Sequence, residues 1–128
     1  IEKVILPVRG KGLWSTMYAY VALESDLNTI RGVSFYEHGE TPGLGGEVEN
    51  KQWQKSWQGK QLYDANQQPA LNLVKGKAAT EGTGKAYEID GLSGATLTAD
   101  GVNKLLEFWF GDHGFKPYFA TIQGEIDG

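Results

Sequence analysis

The sequence predicts an α+β fold in which a few helices pack against a mostly antiparallel, curved sheet. Its N-terminal third alternates apolar and polar residues with the two-residue period of strands. Near residue 100 the apolar residues recur instead with the period of a helix. The 18 glycines cluster between these segments, where they predict tight loops. With 128 residues, the chain is expected to form one domain, residues 1–128, around one core.

Three strands are predicted at the start of the chain, over Ile1–Val8, Trp14–Leu23 and Thr29–Glu37. One face of the second strand is apolar and carries Met17, Ala19, Val21 and Leu23. In the third strand, strict alternation separates two faces, one with Ile30, Gly32, Ser34 and Tyr36 and the other with Arg31, Val33 and Phe35. A short polar turn joins the second and third strands, which predicts an antiparallel hairpin.

The middle of the chain predicts one short helix and three short strands. Asn50 is a suitable N-cap for a helix that runs to Gln58, and Gly59 is a suitable C-terminal stop. Turn-forming residues then separate the strand candidates Leu62–Tyr63, Leu71–Val74 and Tyr87–Ile89.

The closing helix is predicted over Ala99–Phe110, with Thr98 as its cap and Gly111 at its end. Its apolar stripe has helical spacing and consists of Val102, Leu105, Leu106 and Trp109. Because Trp53 and Trp57 are also spaced as on one helix face, these tryptophans are expected to pack in the core.

Composition excludes several classes of function. The chain has no cysteine, so it holds no disulfide, Cys-ligated iron–sulfur cluster or Cys zinc site. A net charge of −4 without a basic run argues against nucleic acid as a partner. His38 and His113 have no metal-ligand spacing and are expected to be surface or loop residues, so no metal site is predicted. No segment is apolar over the roughly 20 residues of a membrane helix.

The segment from Asp90 to Gly101 is rich in small and hydroxyl residues and leads into the closing helix. A helix start offers unpaired N–H groups and the positive end of the helix dipole, which together stabilise a bound phosphate. Thr96 would lie beside such a phosphate. Taken alone, the same residues favour an ordinary capped turn, which hydroxyl clusters before helices usually form.

Residues 90–96 have the pattern Asp-x-x-Ser-Gly-Ala-Thr, which resembles the flavinylation motif of the FMN-binding domain family. Two further blocks, His38–Glu47 and Gly10–Trp14, are similar to the C subunits of sodium-translocating NADH:quinone reductases. Three matching blocks in order are more specific than one short motif, because short patterns recur by chance.

The resemblance implies an FMN attached by a phosphoester to Thr96, with no catalytic residue in the chain itself. Around this position it implies FMN contacts by Ser93, Gly94, Ala95, Leu97 and Thr98, with the N–H groups of Leu97–Ala99 near the phosphate. A second group is implied to lie against the isoalloxazine ring, namely Glu40, Thr41, Gly43, Leu44 and Gly45. Trp14 would stack on the flavin or border its pocket, or else pack as an ordinary core tryptophan.

Glu40 has several possible roles, and two further residues, Asp90 and Lys11, are assigned roles of their own. Glu40 would accept a hydrogen bond from ring N3–H, or cap a helix, or stay solvated. Asp90 is expected to cap a turn, because a carboxylate repels a phosphodiester. Lys11 is one candidate for a cation near ring N1, where positive charge favours an anionic ring.

The resemblance further implies an electron-relay role, with the other subunits of the sodium-pumping NADH:quinone reductase as partners and a flavin transferase during maturation. It places the domain on the periplasmic side of the bacterial inner membrane, behind an N-terminal membrane helix that this chain lacks. Two alternatives remain open. One is the G subunit of the related ion-pumping ferredoxin:NAD oxidoreductase, and the other is an interaction module without a cofactor.

Overall fold

The predicted α+β class is confirmed, because helices pack against the buried face of a three-stranded antiparallel sheet. The computed structural model describes residues 3–12, 16–92, 94–112, 114–119 and 121. The sheet has the order β1 (Lys3–Lys11), β2 (Thr16–Glu24), β3 (Ile30–Glu37). The apolar face predicted for β2 is buried against the core, where Met17, Ala19, Val21 and Leu23 are 0, 0, 1 and 0 % exposed.

Strand β3 does not keep the strict alternation that its sequence predicts. Ile30 and Phe35 are both buried although they lie five positions apart, which in a regular strand would put them on opposite faces. The pairing with β2 shifts register twice, which leaves Arg31 and Tyr36 as the extra residues of two bulges. A bulge moves the following residues to the other face of the strand and increases the local twist.

The predicted helix after Asn50 is shorter than expected. The Asn50 side chain accepts hydrogen bonds from the N–H groups of Gln52 and Trp53, so its N-cap role is confirmed. Helix α1 covers Lys51–Lys55, and tighter turns continue the chain to Gly59, whose φ is +85°. The predicted stop is therefore right, whereas the last turn is not α-helical.

Two of the three predicted short strands form, as a parallel pair of β4 (Asn72–Leu73) with β5 (Glu88–Ile89). The third prediction, Leu62–Tyr63, is wrong, because Tyr63 makes only an isolated bridge to Pro69. Two 3₁₀ turns, at Gly45–Glu49 and Thr83–Ala86, were not predicted.

The long helix α2 covers Thr96–Phe110, so it begins three residues before the predicted start and ends at Gly111 as predicted. Its buried apolar stripe consists of Val102, Leu105, Leu106 and Phe110. Trp109 was predicted in this stripe, but it lies at the core's edge and donates from Nε1 to the Arg9 carbonyl at 2.7 Å. Trp57 is fully buried, as predicted, whereas Trp53 is partly buried.

None of the helices in the described ranges combines the length and apolarity needed to cross a bilayer.

The buried Tyr63 predicts a stability change at alkaline pH. Its hydroxyl donates to the Phe110 carbonyl at 2.7 Å, and burial raises the pKa of Tyr63 to about 12. Because the folded pKa exceeds the unfolded value of about 10, this group's stabilisation is complete below pH 10 and declines as pH rises towards 12. Urea unfolding between pH 9 and 11.5 should show this loss in the wild type. The Tyr63→Phe variant should lose less stability over this pH range, because it has no hydroxyl to ionise. If the free energy of unfolding fell equally with pH in both proteins, the assignment to Tyr63 would be contradicted.

Candidate functional site

Thr96 is the first residue of helix α2, and its side chain is exposed. The N–H groups of the first helical turn have no partner within a helix, and here they belong to Thr96, Leu97 and Thr98. The N–H of Ala99 already donates to the Ala95 carbonyl at 3.0 Å. The N–H groups available to an anion are thus those of residues 96–98, one residue earlier than the predicted set.

Among the described residues, no side chain caps the start of α2. Ala95 occupies the N-cap position, and no side chain of the described residues accepts a hydrogen bond there. Thr98, the predicted cap, lies inside the first turn instead, so that prediction is wrong. Gly94 precedes the helix with φ +69°, a conformation that glycine adopts at low cost. An exposed threonine at an uncapped helix start leaves both a hydroxyl and helix N–H groups accessible.

Glu40 and Thr98 are joined by a buried hydrogen bond. The Thr98 hydroxyl donates to Glu40 Oε1 at 2.7 Å, and the two residues are only 1 and 5 % exposed. Neither borders the cavity described below. The bond connects the loop after β3 to the first turn of α2, and Glu40 is not the solvated carboxylate that one interpretation expects.

The loop from Thr41 to Gly46 folds back on itself and packs against the segment before Thr96. The Thr41 carbonyl accepts hydrogen bonds from the N–H groups of Leu44 and Gly46. A Cβ on Gly45 would lie 2.5 Å from the Thr98 hydroxyl oxygen, and one on Gly94 would lie 3.1 Å from the Leu44 side chain. The structure therefore brings together two motif blocks that are far apart in sequence.

A cavity of about 510 Å³ opens beside Thr96. This volume falls in the usual range for small-molecule sites. One wall is α2, and the other two are the 73–77 and 90–92 segments around the β4–β5 pair. Its lining is apolar at Leu73, Val74, Leu92 and Ala99 and polar at Lys75, Lys77, Asp90, Asp100 and Asn103.

The 73–77 wall of this cavity is held by side chains on α2 and near β5. Asn103 accepts from the Leu73 N–H at 2.7 Å and donates to its carbonyl at 3.0 Å. Asp90 accepts from the Ala78 N–H at 2.7 Å, and its second oxygen lies 3.5 Å from Lys77 Nζ. Asp90 thus has a structural role, but it holds the 76–78 loop, twelve positions away, rather than capping a local turn as predicted.

A model of the FMN-binding domain family matches residues 12–111 of this chain. The chain belongs to the FMN-binding domain family.

Relatives of this FMN-binding domain are C subunits of a sodium pump. The chain is 54 % identical over 123 residues to the C subunit of the Na(+)-translocating NADH-quinone reductase of Vibrio parahaemolyticus, covering 96 % of the chain and 46 % of the relative. For the C subunit of Pseudomonas aeruginosa, the identity is 50 %, with 96 % and 47 % covered. The chain therefore spans about half the length of these relatives.

Solved structures resemble the FMN-binding domain over most of its length. The crystal structure of Shewanella oneidensis NqrC is 47 % identical with a TM-score of 0.86, covering 95 % of this chain and 55 % of that one. The crystal structure of the corresponding C subunit from Parabacteroides distasonis is 31 % identical with a TM-score of 0.76, covering 91 % and 56 %.

Sequence reasoning missed several cavity residues of this FMN-binding domain. Lys75 and Lys77 are the lysines that line the cavity, whereas Lys11, the predicted cation, does not line it. Residues 73–77 carry no motif, and only their placement beside α2 identifies them.

The predicted sites at Trp14 and Ser93 lie outside the described residues, as does His113. His38 lies in a loop as predicted, but its side chain is only 10 % exposed.

Proposed function

We propose that this domain carries one FMN, joined through its phosphate to the Thr96 hydroxyl, and that it relays electrons within a sodium-translocating NADH:quinone reductase. The single observation that carries the proposal is the position of Thr96. Its exposed side chain stands at an uncapped helix start and borders the 510 Å³ cavity in an FMN-binding domain. The position suits a phosphate on one side and a bulky ring system on the other.

The helix start would stabilise the phosphate of the attached group. The N–H groups of residues 96–98 point towards the N-terminal end of α2, where the helix dipole is positive. The ester retains one negative charge on the phosphate, which these N–H groups can solvate. Gly94 and Ala95 add no bulk next to the hydroxyl, so another enzyme can approach it.

Attachment requires that separate enzyme. A threonine hydroxyl is a weak nucleophile without a base. His38 is the only described histidine, and its Nε2 lies 3.0 Å from Glu49 while its Nδ1 accepts from the Glu40 N–H. We therefore assign the reaction to a flavin transferase that uses FAD. Thr96 Oγ1 forms a bond to the phosphorus of the FMN half, the pyrophosphate bond breaks, AMP leaves, and the transferase takes the hydroxyl proton.

The cavity would hold the ring end of the FMN. Leu73, Val74 and Leu92 supply apolar contacts, and Lys75 supplies positive charge at the rim. An FMN held there would supply electron transfer between one partner and another. The role left to the protein is to set the ring's electrostatic surroundings, which determine its reduction potential.

The names of the relatives support the assignment to the C subunit of the sodium-translocating NADH:quinone reductase. We propose that the domain works as one part of that complex, beside its other subunits. Because the chain covers about half of such a subunit, we further propose that the remainder includes an N-terminal membrane helix. That helix would hold this domain at the periplasmic face of the inner membrane.

Replacing Thr96 tests the attachment. When the chain is co-expressed with a flavin transferase and separated on a denaturing gel, the wild-type band should fluoresce under ultraviolet light. The Thr96→Ala variant should be dark, because no hydroxyl remains for the ester. Thr80→Ala removes another exposed threonine and should fluoresce like the wild type. A fluorescent Thr96→Ala band would refute attachment at this residue.

The lysines at the cavity rim predict a change in flavin potential. Removing the positive charge of Lys75 should lower the midpoint potential of the attached FMN, because a nearby cation stabilises the reduced ring. Redox titration of Lys75→Gln should show this decrease. Lys3→Gln, at the start of β1, should leave the potential unchanged. Equal potentials in Lys75→Gln and wild type would place the ring outside the cavity.

A further inference from the structure

The three-stranded sheet has an outer face whose β1 side chains and tyrosines are largely exposed. The opposite face of this sheet buries the core and contacts α2. On the outer face, all five outward residues of β1 are exposed, namely Lys3, Ile5, Pro7, Arg9 and Lys11. From β2 and β3 the face receives tyrosines and a small number of charged residues.

Three tyrosines form a continuous aromatic cluster on this face. The rings of Tyr20 and Tyr36 are stacked with centroids 4.7 Å apart, and Tyr18 lies 6.2 Å from Tyr36. Tyr20 and Tyr36 are 46 and 52 % exposed, and neighbouring Ile5 is 55 % exposed. Tyrosine is enriched in protein interfaces because its large ring is rigid and its hydroxyl can still form hydrogen bonds.

The charge of this face is opposite to that of the rest of the chain. The face carries the four basic residues Lys3, Arg9, Lys11 and Arg31, and the two acidic residues Glu24 and Glu37. The chain has 12 basic and 16 acidic residues in total. Eight basic and 14 acidic residues therefore lie elsewhere, so a net charge of +2 on the face contrasts with −6 on the remainder.

The mixture of charges favours a protein partner over a lipid surface. Glu24 is already paired with Arg31 at 3.7 Å, and anionic headgroups would repel the remaining carboxylate, Glu37. A protein surface can instead place a basic group near Glu37 and its acidic groups near Arg9 and Lys11. Opposed potentials of this kind fix the orientation of two proteins and speed their association.

The face and the candidate flavin site lie on different sides of the molecule. Helix α2 contacts β1 through Gly101 and Leu105, which approach Lys11 and Gly10. The same helix lines the cavity with Thr96, Ala99, Asp100 and Asn103. Because α2 separates the sheet from the cavity, a protein on the outer face would leave the cavity accessible.

We propose that the outer face of the β1–β2–β3 sheet docks an acidic protein surface of another subunit. The tyrosine cluster supplies the buried centre of the interface, and Arg9 and Lys11 pair with carboxylates at its rim. The inference rests on the proposed function, because that proposal identifies the complex in which the partner subunit is sought. It does not require FMN to be attached.

Photocrosslinking in the assembled complex tests the docking surface. The full-length protein would have benzoylphenylalanine in place of Tyr20, and a matched variant would have it in place of Tyr118, which is 51 % exposed and lies outside the face. We expect position 20 to give a crosslink to another subunit at a segment rich in Asp and Glu, and position 118 to give no such product. A lipid adduct, a crosslink within the same polypeptide, a crosslink to a second copy of this chain, or no adduct at position 20 would overturn the proposal.

Charge reversal tests whether the charges of the outer face contribute to the proposed docking. In the position-20 background, Arg9→Glu with Lys11→Glu should lower the crosslink yield about tenfold, as expected when interface contacts are lost. Lys51→Glu with Lys55→Glu changes the net charge equally on α1 and should not lower it. Equal yields for the two pairs would refute charge complementarity. Gel fluorescence of each variant measures the attached flavin independently of the crosslink. A fluorescent protein that gives no crosslink would contradict the docking surface alone. A wild type that does not fluoresce would contradict the proposed attachment alone.

Discussion

Gly101→Ala should destabilise the protein by about 2–3 kcal/mol, the cost of forcing extra volume into a packed contact. Alanine is normally the better helix former, by about 1 kcal/mol. Here, however, a Cβ would lie 2.3 Å from the Lys11 carbonyl oxygen and 3.3 Å from Gly12 Cα. Both contacts are backbone, so they cannot be relieved by a side-chain rotation, and α2 must move away from the end of β1. Urea unfolding at neutral pH measures the change.

Gly32→Ala is the matched control for this experiment. A Cβ at Gly32 meets no atom within 4 Å, and the residue lies inside β3. The substitution should therefore be neutral or slightly stabilising, because it restricts the unfolded chain. If Gly101→Ala proved as stable as Gly32→Ala, the close contact between α2 and β1 would be refuted.

Thr98→Val should lower the free energy of unfolding by about 2 kcal/mol. Valine has nearly the same shape, but it removes the hydroxyl that donates to Glu40. A buried acceptor that loses its donor costs about 1–3 kcal/mol, and more if the acceptor is charged. Urea denaturation with unchanged m-values would show that stability alone has changed.

Thr98→Ser distinguishes the hydrogen bond from simple packing. Serine keeps the hydroxyl and loses only a methyl group, which costs about 1 kcal/mol when buried. We therefore expect the serine variant to be more stable than the valine variant. The reverse order would show that the methyl group, rather than the bond to Glu40, stabilises this junction.

The alternation of β2 was sufficient to predict its buried face, because one side of that strand is apolar without interruption. The same reasoning failed in β3, since two bulges shift which residues face the core. Bulges depend on pairing with the neighbouring strand, and a single strand's sequence does not show them. The start of α2 was misplaced for a related reason. Thr98 is typical of a cap, but its hydroxyl bonds to Glu40, a residue 58 positions away.

The candidate site was only partly predictable. The Asp90–Thr96 motif and the His38–Glu47 block are visible in the sequence, and the structure brings them into contact through Leu44, Gly94 and Thr98. The 73–77 wall of the cavity has no such motif. It reaches the site because β4 pairs with β5 and because Asn103 holds the backbone of Leu73.

Mass spectrometry of the protein from cells that contain a flavin transferase tests the covalent link most directly. The intact chain should be heavier than its sequence by one FMN less one water, and proteolysis should place the whole increment on the peptide that contains Thr96. An unmodified chain, or an increment on a peptide without Thr96, would contradict the proposed attachment.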